Sequence, residues 1–183
     1  VLLVVGGSQG ARAINEALAG ALERVAEGLA ERPAGLEILW ATGPRHIEAV
    51  TARLDPLALG WVHPIEYIHE MPKALASADL AVSRAGAMGT AELLAWGIPT
   101  ILVPLPTAAA DHQTHNARAL DAFGAAVALP EAEASPTRLW DDVVALAGDD
   151  ERRERMAARA RERARPDAAA RIATDLLRIV EAG

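Results

Sequence analysis

The feature that most constrains this chain is a strict alternation of two patterns. Short apolar runs rich in Val, Ile and Leu take turns with longer amphipathic stretches up to about residue 130. The apolar runs, read as strands, are 1–5, 36–41, 59–62, 79–83, 99–103 and 125–129. Between them the spacing predicts helices over 11–29, 44–54, 72–76, 87–96 and 111–122, with Gly6-Gly7, Gly43-Pro44 and Gly124 as punctuation. Strands that alternate with helices need right-handed crossovers, so the expected fold is α/β: a Rossmann-like parallel six-stranded sheet with helices on both faces. The near-continuous apolar strands suit a sheet covered on both sides. From residue 136 the pattern turns wholly helical, over 136–147, 150–165 and 167–181. Residues 1–183 read as a single domain with a helical tail over about 136–183, and 131–136 is a loop rather than a boundary. Val1-Leu2-Leu3-Val4-Val5 begins inside a strand and without Met, so the chain reads as a domain taken from a longer protein.

Composition removes several function classes. Acidic residues outnumber basic ones, 25 to 18, and a net charge of −7 disfavours a generic nucleic-acid binder. The absence of Cys excludes disulfides, thiolate metal sites and a Cys nucleophile. Aromatics at 3% leave little for stacking platforms, so Trp40, Trp61, Trp96 and Trp140 read as core or domain-contact residues. No apolar run approaches the roughly 20 residues of a membrane span. The Arg-dense stretch 151–165 carries Glu151, Glu154 and Glu162 among its arginines, and it reads as a solvated helix face.

In a parallel sheet of this kind ligands bind beyond the carboxyl ends of the strands, and three loops there carry unusual residues. The first is Gly6-Gly7-Ser8-Gln9-Gly10 before the helix at 11. Glycines admit close backbone approach, and a helix start offers unpaired N–H groups with partial positive charge, which together make an anion site. The spacing is neither a Walker loop nor G-x-G-x-x-G. A ligand-free tight turn is the plainer reading of this loop taken alone. The same residues also match G-x-S-x-G, the α/β-hydrolase elbow, with Ser8 as nucleophile. Against that, the motif follows the first strand, and no strand-end Asp is followed by a late His.

The second loop runs from Ser83 to Glu92, with Gly86 and Gly89 keeping it slim. The N–H groups of Ala87, Met88 and Gly89 open a helix and form a second anion site on the same face. Glu92 suits a sugar diol, although offsetting the helix dipole is its plainer role. The third loop, 104–116, starts with Pro104 and Pro106 and ends on polar residues. Asp111 is the expected N-cap, while His112, Gln113 and Asn116 fall on the first turn and suit a hydroxyl-rich ligand. A metal role for His112 and His115 lacks further ligands. Two anion sites and an amide-bearing loop on one sheet edge point to a nucleoside-diphosphate sugar.

At these residues the chain resembles the C-terminal, donor-binding domain of the family 28 GT-B glycosyltransferases, one half of a GT-B fold. These are peptidoglycan enzymes that pass N-acetylglucosamine from UDP-GlcNAc to the undecaprenyl-linked precursor lipid I. The matching segments are Val4 to Arg12 (VVGGSQGAR), Tyr67-Ile68-His69-Glu70-Met71, Ser83-Arg84-Ala85-Gly86-Ala87 through Glu92, Gly97-Ile98-Pro99 through Pro104, and Asp111-His112-Gln113 with Asn116-Ala117. The resemblance implies a donor site made of Gly7, Ser8, Gln9, Gly10, Tyr67, Ile68, Met71, Arg84, Gly86, Ala87, Met88, Gly89, Glu92, His112, Gln113 and Asn116. Ser8 would meet the diphosphate. The Ile68 backbone would hold the uracil, with Tyr67 and Met71 packing around the base. The amides of Ala87, Met88 and Gly89 would bind phosphate, Glu92 the ribose, and His112 with Gln113 the sugar hydroxyls.

The resemblance further implies an inverting reaction with no metal and no cofactor. The acceptor site and catalytic base would sit in an N-terminal domain absent from this chain, so no catalytic residue is assigned here. The partners would be UDP-GlcNAc, that N-terminal domain and, through it, lipid I, with no nucleic acid. The place would be the cytoplasmic side, peripheral on the inner face of the bacterial plasma membrane. The chain alone is expected to bind donor without turning it over. Alternatives are another UDP-sugar enzyme of the same fold (a glycolipid transferase or a UDP-GlcNAc 2-epimerase), a non-catalytic nucleotide-binding module, and the hydrolase.

Overall fold

The computed structural model describes residues 1–181. In chain order the elements are β1 (Leu2–Val5), α1 (Arg12–Ala26), β2 (Ile38–Ala41), α2 (Ile47–Leu54), β3 (Val62–Ile65), α3 (Met71–Ser77), β4 (Leu80–Ser83), α4 (Ala87–Trp96) and β5 (Thr100–Leu102). Then come α5 (His112–Ala122), β6 (Ala126–Ala128), α6 (Pro136–Ala147), α7 (Asp150–Arg163) and α8 (Ala168–Glu181). The six strands are all parallel, in the order β3-β2-β1-β4-β5-β6. The expected Rossmann-like sheet is therefore present.

Alternation of side chains along β1 explains why the sheet has two covered faces. Leu2 and Val4 point into one apolar cluster with α1 and α6, while Leu3 joins Ala74, Leu75 and Leu93 on the other side. Trp40 and Ile38 of β2 are fully buried in the first cluster. Leu139, Trp140, Val143 and Leu146 of α6 close it from outside. Gly20 lets α6 approach, since a Cβ there would lie 2.8 Å from the Pro136 Cγ.

Three expectations are corrected. The third strand is 62–65, not 59–62: Ile38 pairs with Val62 and Ala41 with Ile65. His63 and Pro64 hid it, yet β3 is an edge strand, where a residue without an N–H is tolerated. Helix α1 stops at Ala26 rather than 29, because the chain turns at Gly28 with φ +73 and the Leu29 N–H returns to the Arg24 carbonyl (2.8 Å). The Arg-dense stretch is not simply solvated. Arg153 donates to the Leu146 and Ala147 carbonyls that end α6, Arg159 and Arg163 stand over the Phe123 ring, and Arg161 lies against Gly97. Of the four Trp residues, Trp40, Trp61 and Trp140 are buried, while Trp96 is exposed.

Helices α6 and α7 pack on the domain, so only α8 stands off it. Every residue from Asp167 to Val180 is exposed, and Ile172, Leu176 and Ile179 form an apolar stripe at i, i+4 and i+7. Residues 182–183 of the expected tail lie outside the described residues.

Candidate functional site

All six strands are parallel, so the loops after them leave one rim. Strand order reverses between β1 and β4, which are neighbours with Val5 opposite Ser83. That is the topological switch point, where a sheet of this kind opens a crevice. The loops 6–10 and 84–86 leave it side by side.

The first loop is fixed by two glycines set face to face with β2. Gly10 has φ +76, and a Cβ there would stand 1.9 Å from the Thr42 carbonyl oxygen. A Cβ on Gly43 would stand 2.4 Å from the Gln9 carbonyl oxygen. Backbone therefore lies directly on backbone, which any side chain would prevent. The Gly10 amide donates to the Gly7 carbonyl at 2.9 Å and closes the turn. Gly7, Ser8 and Gln9 are exposed at its tip, and the Ser8 hydroxyl has no partner among the described residues.

Helix α1 then makes its first backbone bond from Asn15 to Ala11 (2.9 Å), which leaves the N–H groups of Arg12, Ala13 and Ile14 without acceptors among the described residues. Helix α4 repeats the arrangement. Its first bond runs from Thr90 to Gly86 (3.0 Å), leaving Ala87, Met88 and Gly89. Neither helix has a side-chain cap or an acidic residue in its first turn. Among the described residues, no capping side chain or first-turn carboxylate is offered to either set. The space above α4 is open: no atom lies within 4 Å of a Cβ built on Gly86 or Gly89, and Met88 is 83% exposed.

The other predicted residues divide into two kinds. Glu92 is exposed on α4, and no hydrogen bond or ion pair engages it among the described residues. Tyr67, 47% exposed, meets His69 edge to face at 5.2 Å; Ile68 is buried and Met71 begins α3. The Ile68 N–H and carbonyl have no protein partner among the described residues. His112 is exposed, with Nδ1 2.8 Å from the Ala109 carbonyl.

Gln113, Asn116 and Arg84 instead tie loops together. Gln113 Oε1 accepts from the Leu105 N–H (3.0 Å) and keeps its own NH₂ for another partner. Asn116 donates to the Ala85 carbonyl (3.1 Å) just before the α4 amides. Arg84 is spent on the Val103 and Pro104 carbonyls and on Glu131, so its guanidinium serves the loop and is not offered to the rim. Asp111 sits at the cap position of α5, but in a left-handed conformation (φ 53). Its carboxylate accepts from the Thr114 hydroxyl rather than from a backbone N–H, which corrects the expected N-cap.

Sequence reasoning missed Asn15 and Thr42. Their only signal was a carboxamide inside an otherwise apolar helical face.

The fold and this rim define a doubly wound α/β domain with two helix starts at its switch point whose first amides have no acceptors among the described residues. The chain belongs to the glycosyltransferase family 28 C-terminal domain family, which matches residues 1–172. It is similar to the UDP-N-acetylglucosamine–N-acetylmuramyl-(pentapeptide) pyrophosphoryl-undecaprenol N-acetylglucosamine transferase of Salinibacter ruber, 45% identical over 99% of this chain and 47% of that protein. Among solved structures it is similar to Acinetobacter baumannii MurG, with a TM-score of 0.83 and 34% identity over 97% of this chain and 51% of that one. The match covers one half of that GT-B protein. A structure described as a putative UDP-N-acetylglucosamine 2-epimerase from Listeria monocytogenes shares the fold (TM-score 0.70, 17% identity, all of this chain and 45% of that one). The chain spans about half the length of the curated relatives it matches. Among the described residues no helix is long and apolar enough to cross a membrane.

Proposed function

We propose that this chain is the UDP-GlcNAc-binding half of an inverting transferase that passes N-acetylglucosamine to undecaprenyl-pyrophosphoryl-MurNAc-pentapeptide (lipid I), giving lipid II. The observation that carries the reading is the pair of unpartnered amide sets on α1 and α4, flanking the switch point with no acidic residue in either first turn. A diphosphate bridging them would satisfy both sets at once. The transferases this chain resembles in Salinibacter ruber and Chlorobaculum parvum are named for this donor sugar and acceptor.

In this reading the loop at Gly7, Ser8, Gln9 and Gly10 and the amides of Ala87, Met88 and Gly89 hold the diphosphate. The free Ile68 peptide takes the uracil edge, with Tyr67 and Met71 beside the base, and Glu92 accepts from the ribose hydroxyls. His112 and the spare NH₂ of Gln113 face the sugar, while Arg84 and Asn116 hold the loops in place. As the glycosidic bond breaks, negative charge grows on the leaving UDP, and fixed amides stabilise it without reorganising. The acceptor site and the catalytic base would belong to the N-terminal half of the whole protein, and the attacking hydroxyl would be one of the bound lipid I, its proton passing to that base as the new glycosidic bond forms and UDP leaves. The exposed apolar stripe of α8 supports a surface that such a half would cover. The whole protein would work peripherally at the cytoplasmic face of the plasma membrane.

Calorimetric titration with UDP-GlcNAc, UDP-glucose, UDP and NAD tests the reading. UDP-GlcNAc should bind above UDP-glucose, with no turnover by the chain alone. Glu92→Gln should lose about tenfold or more in affinity, since a hydrogen bond to a charged group contributes about 1.5–3 kcal/mol. Binding of NAD but of no UDP-sugar would overturn it.

A further inference from the structure

Asn15 is the one polar side chain that α1 buries, at 5% exposure among Ile14, Ala17 and Leu18. Its position in the second half-turn gives it no capping work, because its own backbone N–H already bonds Ala11. Both ends of its carboxamide are used. Nδ2 donates to the Thr42 carbonyl at 2.8 Å, and Oδ1 accepts from the Trp40 indole N–H at 3.0 Å. Trp40 is fully buried, so the indole fixes which way the carboxamide faces. Asn is a poorer helix former than Leu or Ala, and the surrounding cluster is otherwise apolar. Packing alone gives no reason for it.

The reason lies at the other end of the Thr42 carbonyl. That oxygen is the atom against which Gly10 is pressed, 1.9 Å from where a Cβ would be. One residue on, Gly43 is pressed in turn against Gln9. The height and tilt of the first loop, and of the Arg12, Ala13 and Ile14 amides that follow it, are therefore referred to the turn after β2 by these backbone contacts and, from α1, by one buried side chain. The second amide set has its own carboxamide tether, from Asn116 to the Ala85 carbonyl.

We infer that Asn15 is a positioning residue for diphosphate recognition: by bridging Trp40 and Thr42 it locks the 6–10 loop against the 42–43 turn and so aims the α1 amides at the ligand. The inference rests on the UDP-GlcNAc reading and names a residue through which that site is held. Asn15 touches no ligand itself.

The test uses the 183-residue chain and three variants. Asn15→Leu keeps the volume and adds no charge, and Asn15→Asp keeps the acceptor for Trp40 but loses the donor to Thr42. Leu146→Ala is a buried control in the same cluster, away from the rim. Each is measured for melting temperature, for UDP-GlcNAc affinity by calorimetry, and, without ligand, for amide hydrogen exchange at Gly10 and at position 15, whose N–H groups are bonded to the Gly7 and Ala11 carbonyls. Asn15→Leu and Asn15→Asp should bind about tenfold or more weakly and exchange faster at these two amides, whereas Leu146→Ala should lose melting temperature with affinity unchanged. Variants of Asn15 that melt lower but bind and exchange at these two amides as wild type does would overturn the inference. If wild type itself fails to bind, the UDP-GlcNAc reading falls, and the exchange arm still decides whether Asn15 holds the loop.

Discussion

Two glycines on the rim look alike in sequence, and the structure predicts opposite behaviour for them. At Gly10 alanine meets two penalties. A left-handed conformation costs a β-carbon about 1–2 kcal/mol. The new Cβ would also arrive 1.9 Å from the Thr42 carbonyl oxygen, a backbone atom with no rotamer to yield. Overpacking of that kind costs about 1–3 kcal/mol, so the sum is about 2–5 kcal/mol. For a domain of this size that lowers the melting temperature by roughly 4–20 °C. Gly86 has φ −71 and ψ 144, which alanine adopts freely, and nothing lies within 4 Å of its Cβ position. Gly86→Ala should therefore change stability by no more than about 1 kcal/mol. The fold gives no reason for a glycine there. A ligand pressed onto the α4 amides does, and the added methyl should cut UDP-GlcNAc affinity about tenfold or more, a loss of roughly 1.4 kcal/mol. Melting curves and calorimetry on the two variants are the assay. If Gly86→Ala melts like wild type and binds UDP-GlcNAc as tightly, no phosphate approaches that helix start.

Two further outcomes are expected. The hydrogen bond from Arg53 holds the Glu23 carboxyl below its ordinary value of 4.5, against a smaller opposing effect of burial. A carboxyl whose folded pKa is depressed stabilises the fold above its unfolded value and loses that contribution as pH falls. The melting difference between wild type and Arg53→Met should be present at neutral pH and shrink as pH falls below about 4.5; a difference as large in acid as at neutral pH would contradict this. On α8, the double variant Ile172→Glu with Leu176→Glu should leave the melting temperature of the chain unchanged, since both side chains are exposed. A clear drop, read by scanning calorimetry, would mean the stripe packs on the domain.

What the sequence makes legible here is whatever repeats locally. Alternating apolar and amphipathic stretches set the strand and helix order, and glycines after strands marked the rim loops. Elements whose signal is diluted were misplaced: β3 carries His63 and Pro64, and only its place at the sheet edge makes them acceptable. Roles that depend on distant partners were illegible. Nothing near Arg84 in sequence announces Glu131, and nothing near Asn15 announces Trp40, 25 residues on. Asp111 was misjudged because its left-handed backbone turns the carboxylate from the helix amides to Thr114. The arginines of α7 were misjudged because Phe123 and Gly97 come to them only through the fold.

The direct pairing of Val5 with Ser83 has one more consequence. The two loops that carry the amide sets set out from paired residues of neighbouring strands, so their points of departure are spaced by the interstrand repeat of about 4.8 Å. That length belongs to the polypeptide backbone and not to any side chain. Mutational drift elsewhere in the domain can rewrite the flanking surface without changing the separation at which the two loops set out.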